Sequence, residues 1–235
     1  MNRFMIVVNP DKDTDSTVTN RIQSYLEAHG AACMVRDVFH LESSDWEALK
    51  KEQFDCVLVL GGDGTLLRMA GETEDIDIPL FGINLGTVGF LTEGEVANIE
   101  EILDRLLTDD FTIEERMMVT GTVTKADGTT YRKSALNDIV ISRAGFSRLI
   151  GLNVSVDGQV LDTYEADGVV ISTPTGSTGY NLSAGGPIVS PDAELLVITP
   201  VSPHSLTAKS IVLSGKEEIT IEITKKRKTD RKSVV

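Results

Sequence analysis

A glycine-rich turn placed between a buried strand and a helix constrains this chain more than any other stretch. Residues 61–65 have the sequence GGDGT, follow the apolar run 56–60 and precede the helix-permissive run 66–70. Glycine adopts backbone conformations that other residues avoid, and the free amides at a helix N-terminus attract anions. The sequence therefore predicts a strand, a turn and a helix start that together bind phosphate groups.

Asp63 is the unusual residue of this turn. A carboxylate among phosphate-binding amides repels the anion that the amides attract, so it needs another role. It can accept a proton from a hydroxyl group, or it can hold a metal ion beside the phosphates. The residues of the turn leave both roles open.

The order of the apolar runs predicts two domains of different class. Over the first 110 residues, strands alternate with helices, which is typical of a parallel sheet covered on both faces. Beyond that point, β-branched runs separated by Asp-Gly turns predict an antiparallel β-sandwich. In the first domain we expect strands at 4–8, 31–35, 55–60 and 79–83, helices capped by Ser16 or Thr17 and by Ser44, and an amphipathic helix at 95–107.

Composition and charge narrow the class of protein. The 235 residues carry a net charge of −14, which argues against a broad nucleic-acid-binding surface. The basic run 225–232 is interpreted as a solvated loop or chain end. No apolar stretch approaches the roughly 20 residues of a membrane span, and no leader segment is recognised, so we expect a cytoplasmic protein without a membrane partner. Cys33 and Cys56 lie in apolar runs and are expected to be buried thiols.

Three further stretches carry polar residues where a ligand site would need them. Residues 84–93 (NLGTVGFLTE) follow a parallel strand at its carboxyl end, where ligands bind in open α/β sheets. Asn137 and Asp138 interrupt the apolar run 131–141, either as a bulge or turn or as an amide and carboxylate pair for ribose or base groups. Residues 173–187 are rich in hydroxyls and glycine, which suits a plain loop or a nucleotide-binding surface. His204 has no second histidine or cysteine nearby, so no protein metal site is predicted.

Together, these stretches resemble the NAD kinase family over nearly the whole chain, from residue 6 to about residue 222. GGDGT alone is shared with diacylglycerol and sphingosine kinases, whereas DGVVISTPTGSTGYNLSAGGP at 167–187 is far more specific. The resemblance implies a Rossmann-like α/β domain over 1–110 and an antiparallel β-sandwich, NAD-binding domain over 111–235. It also implies transfer of the γ-phosphoryl group of ATP to the 2′-hydroxyl of the adenosine ribose of NAD, which gives NADP.

The resemblance assigns roles to individual residues. It implies that Asp63 is the general base and that a divalent metal ion, Mg²⁺, accompanies ATP. It implies a homodimer or homotetramer. The residues carried over as ligand contacts are Asp63, Gly64, Arg68, Asn137, Asp138, Arg148, Glu165, Asp167, Thr178, Gly179, Tyr180, Asn181, Leu182 and Ser183.

The chain departs from the family pattern at three places. Gly179 stands where alanine is usual, and Glu165 stands where a basic residue is common. The family continues through a further strand and a C-terminal segment, so we expect the second domain to lack its last elements. The sequence leaves open ATP or polyphosphate as donor and NAD or NADH as acceptor. A GGDGT-type lipid kinase and a non-catalytic NAD or NADP sensor are the alternative functions.

Overall fold

A computed structural model of the chain describes residues 1–86, 89–144, 149–205 and 207–224. The chain divides into two compact units, Met1–Glu114 and Glu115–Val235. The first is an α/β unit with a parallel sheet and the second is built from antiparallel strands. The predicted fold class is therefore confirmed. The basic run 225–232 lies outside the described residues.

The sheet of the first unit is parallel throughout its described part, in the strand order β2-β1-β3-β4-β5. Its strands are Arg3–Val8 (β1), Ala32–Asp37 (β2), Cys56–Gly61 (β3), Leu80–Asn84 (β4) and Gly94–Glu95 (β5). Its helices are Thr17–Ala28 (α1), Ser43–Lys51 (α2), Asp63–Glu72 (α3) and Ile99–Leu107 (α4), with a 3₁₀ turn at Val96–Asn98. Because the strands are parallel, the turn after β3 shares one edge of the sheet with the loops after β1, β2 and β4.

Helices cover both faces of this sheet, as the continuous apolar strands require. Alternate residues of β1 and β3, such as Phe4 and Leu58, pack against Ile22 of α1 and Leu103 of α4. The intervening residues of the same strands pack against α2 and α3, and Met69 of α3 is fully buried in that contact. The central strand β3 is consequently buried along its whole length, which fixes the position of the turn that follows it.

Both predicted helix caps are wrong, and carboxylates replace the hydroxyls. The Ser16 side chain makes no capping hydrogen bond; instead, the Asp13 carboxylate accepts the N–H groups of Val18 at 3.1 Å and Thr19 at 2.8 Å. Helix α2 begins at Ser43, and its Asp45 carboxylate accepts the Glu42 N–H at 2.9 Å. A carboxylate is favoured at these places because its charge also interacts with the positive end of the helix dipole.

The second unit contains two antiparallel sheets and a two-stranded ribbon within its described residues. The strands are Val119–Thr124 (β6), Thr130–Ala135 (β7), Asp138–Ser142 (β8), Ile150–Val156 (β9), Gln159–Ala166 (β10), Gly168–Ser172 (β11), Leu195–Val201 (β12), Ile211–Ser214 (β13) and Ile219–Thr224 (β14). The sheets have the orders β13-β12-β11-β8 and β10-β9-β14, and β6 pairs with β7. Side chains from both sheets, including Leu152 and Ile171, form one core, as in a sandwich.

Two smaller expectations concern the hairpins and the cysteines. Asp157 and Gly158 both have positive φ, 49° and 77°, as a tight hairpin between β9 and β10 requires. Cys56 is buried, Cys33 is half-buried, and both are free thiols. Burial raises the pKa of Cys33 to about 11 and that of Cys56 to about 12. No helix among the described residues is both long enough and apolar enough to cross a membrane.

Candidate active site

The GGDGT turn has the predicted strand–turn–helix form. Strand β3 ends at Gly61, α3 begins at Asp63, and Gly62 between them is extended (φ −127°). Gly61 is required sterically, because a Cβ there would lie 2.3 Å from Oγ1 of Thr65. By contrast, a Cβ at Gly62 or Gly64 would meet nothing within 4 Å. The backbone of the turn is thus tightly packed at its first residue and open to a ligand at its second and fourth residues.

The Asp63 carboxylate is hydrogen-bonded to the loop that follows β4. Its Oδ2 accepts the Phe90 N–H at 2.8 Å, and its Oδ1 accepts the Leu91 N–H at 3.1 Å. Thr92 donates its N–H and its hydroxyl to Oδ1 at the longer distances of 3.3 and 3.4 Å. Sequence analysis identified both stretches but not this contact between them, which orients the carboxylate.

A cavity of about 310 Å³ lies beside the turn. It is lined by residues that follow β1, β2 and β3, namely Asn9, Lys12, Val38, Phe39, Gly62, Gly64, Thr65 and Arg68. The Arg68 guanidinium carbon lies 5.7 Å from the centroid of the Phe39 ring. Sequence analysis proposed Gly64 and Arg68 but missed Asn9, Lys12 and Phe39. The available signal was their position directly after strands of a parallel sheet.

Asn137 lies between β7 and β8, so the run 131–141 forms two strands. Of the two interpretations of this pair, the turn therefore describes the backbone correctly. Its carbonyl accepts the Thr173 N–H at 2.8 Å. A Cβ on Gly176 would lie only 2.1 Å from the same carbonyl oxygen. The backbone of Asn137 therefore packs directly against the backbone of the segment that follows β11.

The side chains of Asn137 and Asp138 retain features of a ligand site. The buried Oδ1 of Asn137 has no hydrogen-bond partner among the described residues. Burial raises the pKa of the half-buried Asp138 carboxyl above its usual value. A methyl group at Gly179 would lie 3.4 Å from Asn137 Nδ2 and 3.9 Å from Asp138 Oδ2. Buried polar groups are normally paired, and the Asn137 amide oxygen shares its unpaired state with Arg3 Nε and the Tyr164 hydroxyl among the described residues.

The stretch 173–187 is largely helical rather than an open loop. It contains a 3₁₀ helix at Thr175–Thr178 and a short α-helix, Tyr180–Ser183 (α5). Asn181 is fully buried. Its Nδ2 donates to the carbonyl oxygens of Ser177 at 3.1 Å and Pro187 at 2.9 Å. Its Oδ1 accepts the Thr199 hydroxyl at 2.7 Å. Tyr180 and Leu182, in contrast, are 44% and 43% exposed. The polar side chain at 181 thus stabilises the segment, while the flanking side chains remain accessible.

Three further predicted residues lie in different surroundings. Asp167 forms an ion pair with Arg143, whose Nε lies 2.6 Å from Oδ1; no motif marked Arg143 in the sequence. Glu165 is exposed on β10. Arg148 lies outside the described residues. Across the described residues, no group of three or more His, Cys, Asp or Glu side chains is placed to hold a metal ion.

Comparisons with known proteins agree over both units. The family model of the ATP-NAD kinase N-terminal domain matches residues 4–111, and that of the ATP-NAD kinase C-terminal domain matches residues 136–233. An NAD kinase of Lachnoclostridium phytofermentans is 44% identical over 239 residues, covering 100% of this chain and 84% of that protein. An NAD kinase of Agathobacter rectalis is 44% identical, covering 97% of this chain and 80% of that protein.

Solved structures give the same result. A yeast NADH kinase complexed with NADH superposes with a TM-score of 0.80 at 25% identity, covering 95% of this chain and 72% of that one. An NAD kinase from Archaeoglobus fulgidus in complex with ATP has a TM-score of 0.76 at 32% identity, with 94% and 80% covered. The two domain matches, the relatives and the structural neighbours lead to one conclusion. The chain belongs to the NAD kinase family of phosphotransferases.

Proposed function

We propose that this NAD kinase transfers the γ-phosphoryl group of ATP to the 2′-hydroxyl of the adenosine ribose of NAD, giving NADP, with Asp63 as general base. The observation that carries the proposal is the fixed orientation of the Asp63 carboxylate by three backbone amides. Phosphoryl transfer depends chiefly on positioning and on neutralisation of charge. A rigidly held acceptor of the hydroxyl proton provides the positioning.

The two oxygens of Asp63 differ in the bonds that they already accept. Oδ1 accepts three donors, whereas Oδ2 accepts only the Phe90 N–H among the described residues. A carboxylate oxygen has two lone pairs, so Oδ2 retains one for the substrate hydroxyl. We assign proton acceptance to Oδ2. Amide donors directed at a carboxylate also disfavour a cation on the same lone pairs, which supports the base over the metal-holding role of Asp63.

The remaining ligand contacts in the second unit are proposed from the family and from accessibility. Asn137 and Asp138 bind NAD through their side chains, as the family resemblance implies, and Tyr180 and Leu182 offer exposed surface to the nucleotide. Asn181 acts by fixing α5 through its buried amide. The other proposed contacts are Arg148, Glu165, Asp167, Thr178, Gly179 and Ser183.

ATP dependence belongs to the family, and we propose Mg²⁺ as the accompanying metal. Mg²⁺ is commonly held by substrate phosphates, waters and one or two carboxylates rather than by a protein cage. That mode fits a chain whose described residues contain no cluster of metal-ligating side chains. When bound, the ion would neutralise phosphate charge. We also propose cytoplasmic residence, a homodimer or homotetramer, and a boundary near residue 110 between the two domains.

The decisive experiment is an NADP-forming assay with ATP or polyphosphate as donor and NAD or NADH as acceptor. Asp63→Asn should retain NAD binding and lose at least about two orders of magnitude in kcat, because general-base assistance is typically worth about 10²–10⁴. The matched control is Asp75→Asn, at an exposed carboxylate just beyond the C-terminal end of α3. Near-normal turnover by Asp63→Asn would refute the role of Asp63.

The lipid-kinase and sensor alternatives are not favoured, because both domain models and the relatives are those of NAD kinases. The same assay separates them. Phosphorylation of diacylglycerol but not of NAD would identify a lipid kinase. Calorimetric binding of NAD without NADP formation would identify a sensor.

A further inference from the structure

Among the described residues of the first unit, exposed aromatic rings occur only in loops at the sheet edge that carries the GGDGT turn. Phe39, which follows β2, is 48% exposed, and Phe90, which follows β4, is 82% exposed. The other Phe, Tyr and Trp side chains described in this unit are buried or half-buried. Ligands bind at this edge of open α/β sheets, so an exposed ring there is a candidate ligand contact.

The two rings lie on different sides of the turn, because β2 and β4 flank β3 from opposite directions in the strand order. The Phe90 N–H bonds Asp63 Oδ2, so Phe90 accompanies the carboxylate that accepts the proton. Phe39 instead lines the cavity together with Gly62 and Gly64. The acceptor hydroxyl stands between its base and the phosphoryl group that it attacks, with the attacking and leaving oxygens roughly in line. Phe39 is therefore on the donor side of the turn.

Hydrogen bonds hold the backbone that presents Phe39. Val38 is buried and donates its N–H to the Val8 carbonyl at 2.9 Å. The Asp37 carboxylate accepts the Phe39 N–H at 2.8 Å and lies 2.7 Å from His40 Nδ1. The exposed side chain therefore projects from an ordered turn, and binding a ligand there costs little backbone freedom.

The surroundings of the Phe39 ring suit a flat base. The Arg68 guanidinium carbon lies 5.7 Å from the ring centroid, and Phe39 keeps 48% of its surface exposed despite this contact. A purine base is flat and stacks on an aromatic face, whatever its pattern of hydrogen-bonding groups. A chain of phosphates has no such surface. The ring therefore distinguishes a nucleotide donor from an inorganic one.

We propose that Phe39 stacks on the base of the phosphoryl donor, so that the chain prefers a nucleoside triphosphate to inorganic polyphosphate. This inference rests on the proposed kinase reaction and names a determinant of its donor class. Gly62 and Gly64 leave space for the donor beside the ring, because a Cβ at either residue would meet nothing within 4 Å. The surface proposed for NAD, with Tyr180 and Leu182, lies in the second unit, which leaves Phe39 for the donor.

Phe39→Ala tests this assignment, with Tyr131→Ala as the matched control at an exposed ring on β7. The probes are a non-hydrolysable β,γ-imido ATP analogue and inorganic tripolyphosphate, measured by calorimetry without NAD. Phe39→Ala should weaken the ATP analogue by about tenfold, as expected for loss of base stacking, and leave tripolyphosphate within about twofold. Phe39→Trp should retain the preference for the nucleotide. In steady-state assays KM for ATP should rise about tenfold, while KM for NAD stays within about twofold.

Three outcomes would overturn the assignment. Equal weakening of both probes would show that Phe39 acts on the phosphates through Arg68. Unchanged binding of the ATP analogue would show that no base stacks on the ring, and a rise in KM for NAD alone would place the ring on the acceptor side. Melting temperatures report whether Phe39→Ala folds; Phe39→Leu, which keeps an apolar side chain but no ring, gives the same test if it does not.

Probe binding needs no turnover, so failure of the proposed function is distinguishable. A wild type that forms no NADP but binds the ATP analogue through Phe39 would refute the reaction and keep the base contact. NADP formation with a KM for ATP that Phe39→Ala leaves unchanged would refute the base contact and keep the reaction.

Discussion

Gly89→Ala should disable the enzyme by displacing the Asp63 carboxylate. A Cβ at residue 89 would lie 2.1 Å from Asp63 Oδ1, and 2.4 and 2.5 Å from Cγ and Oδ2. Real Cβ contacts are essentially never shorter than 3.0 Å, so the carboxylate or the loop must move by about 0.9 Å. A misplacement of about 1 Å can cost on the order of 10²-fold in rate. We therefore expect kcat to fall about 100-fold while KM for NAD changes little.

Steady-state NADP formation measures this loss, and a double-mutant cycle identifies its route. If Gly89→Ala acts only by displacing Asp63, it should cost almost nothing further in an Asp63→Asn background, because residues that act as a unit are strongly non-additive. A melting temperature close to that of the wild type excludes general unfolding as the cause.

Two results would refute this reasoning. A kcat within threefold of the wild type would mean that the carboxylate tolerates the displacement. A full, additive loss in the Asp63→Asn background would mean that residue 89 acts independently of Asp63.

Two further predictions follow from the pKa directions. Burial raises the pKa of the Asp138 carboxyl in the folded chain above its usual value of 3.8. The folded chain therefore favours the protonated carboxyl. Its contribution to the free energy of unfolding is highest below pH 3.8 and falls as the pH rises through the folded pKa. Asp138→Asn should therefore stabilise the ligand-free chain at pH 7 in urea titrations, with the gain vanishing near pH 3.8; destabilisation at pH 7 would contradict this. Cys33 and Cys56, with pKa values of about 11 and about 12, should react with iodoacetamide at pH 8 much more slowly when folded than in urea. Mass spectrometry that finds rapid native labelling would contradict this.

Short stretches of sequence predicted those strands, turns and helices whose formation depends on neighbouring residues. The turn 61–65 was found because an apolar run, glycines and a helix-forming run are adjacent in sequence. The helix caps were predicted wrongly because a carboxylate further from the helix start in sequence can reach the first amides in place of the adjacent hydroxyl. The Asp13 carboxylate, three residues before Ser16, reaches the same amides from a buried position.

The site required long-range information that spacing does not contain. Asp63 meets Phe90 and Thr92 only because β4 lies beside β3, so both loops emerge at one edge. Asn181 was predicted to contact a ligand, but its amide oxygen accepts the Thr199 hydroxyl inside the fold. A sequence does not distinguish an amide that binds a ligand from one that stabilises the fold. Likewise, whether Arg68 is ion-paired depends on which carboxylates the fold brings near.

The close packing of Gly176 on the Asn137 carbonyl has a consequence for protein engineering. Thr173 donates its N–H to that carbonyl and its hydroxyl to the Leu136 carbonyl, so residues 136–138 and 173–176 form one rigid piece. Grafting the 173–187 segment from another enzyme in order to change acceptor preference would therefore reorient Asn137 as well. Residues 136–138 should be transplanted together with the segment. Hydrogen exchange should report one shared opening for the two stretches rather than separate events.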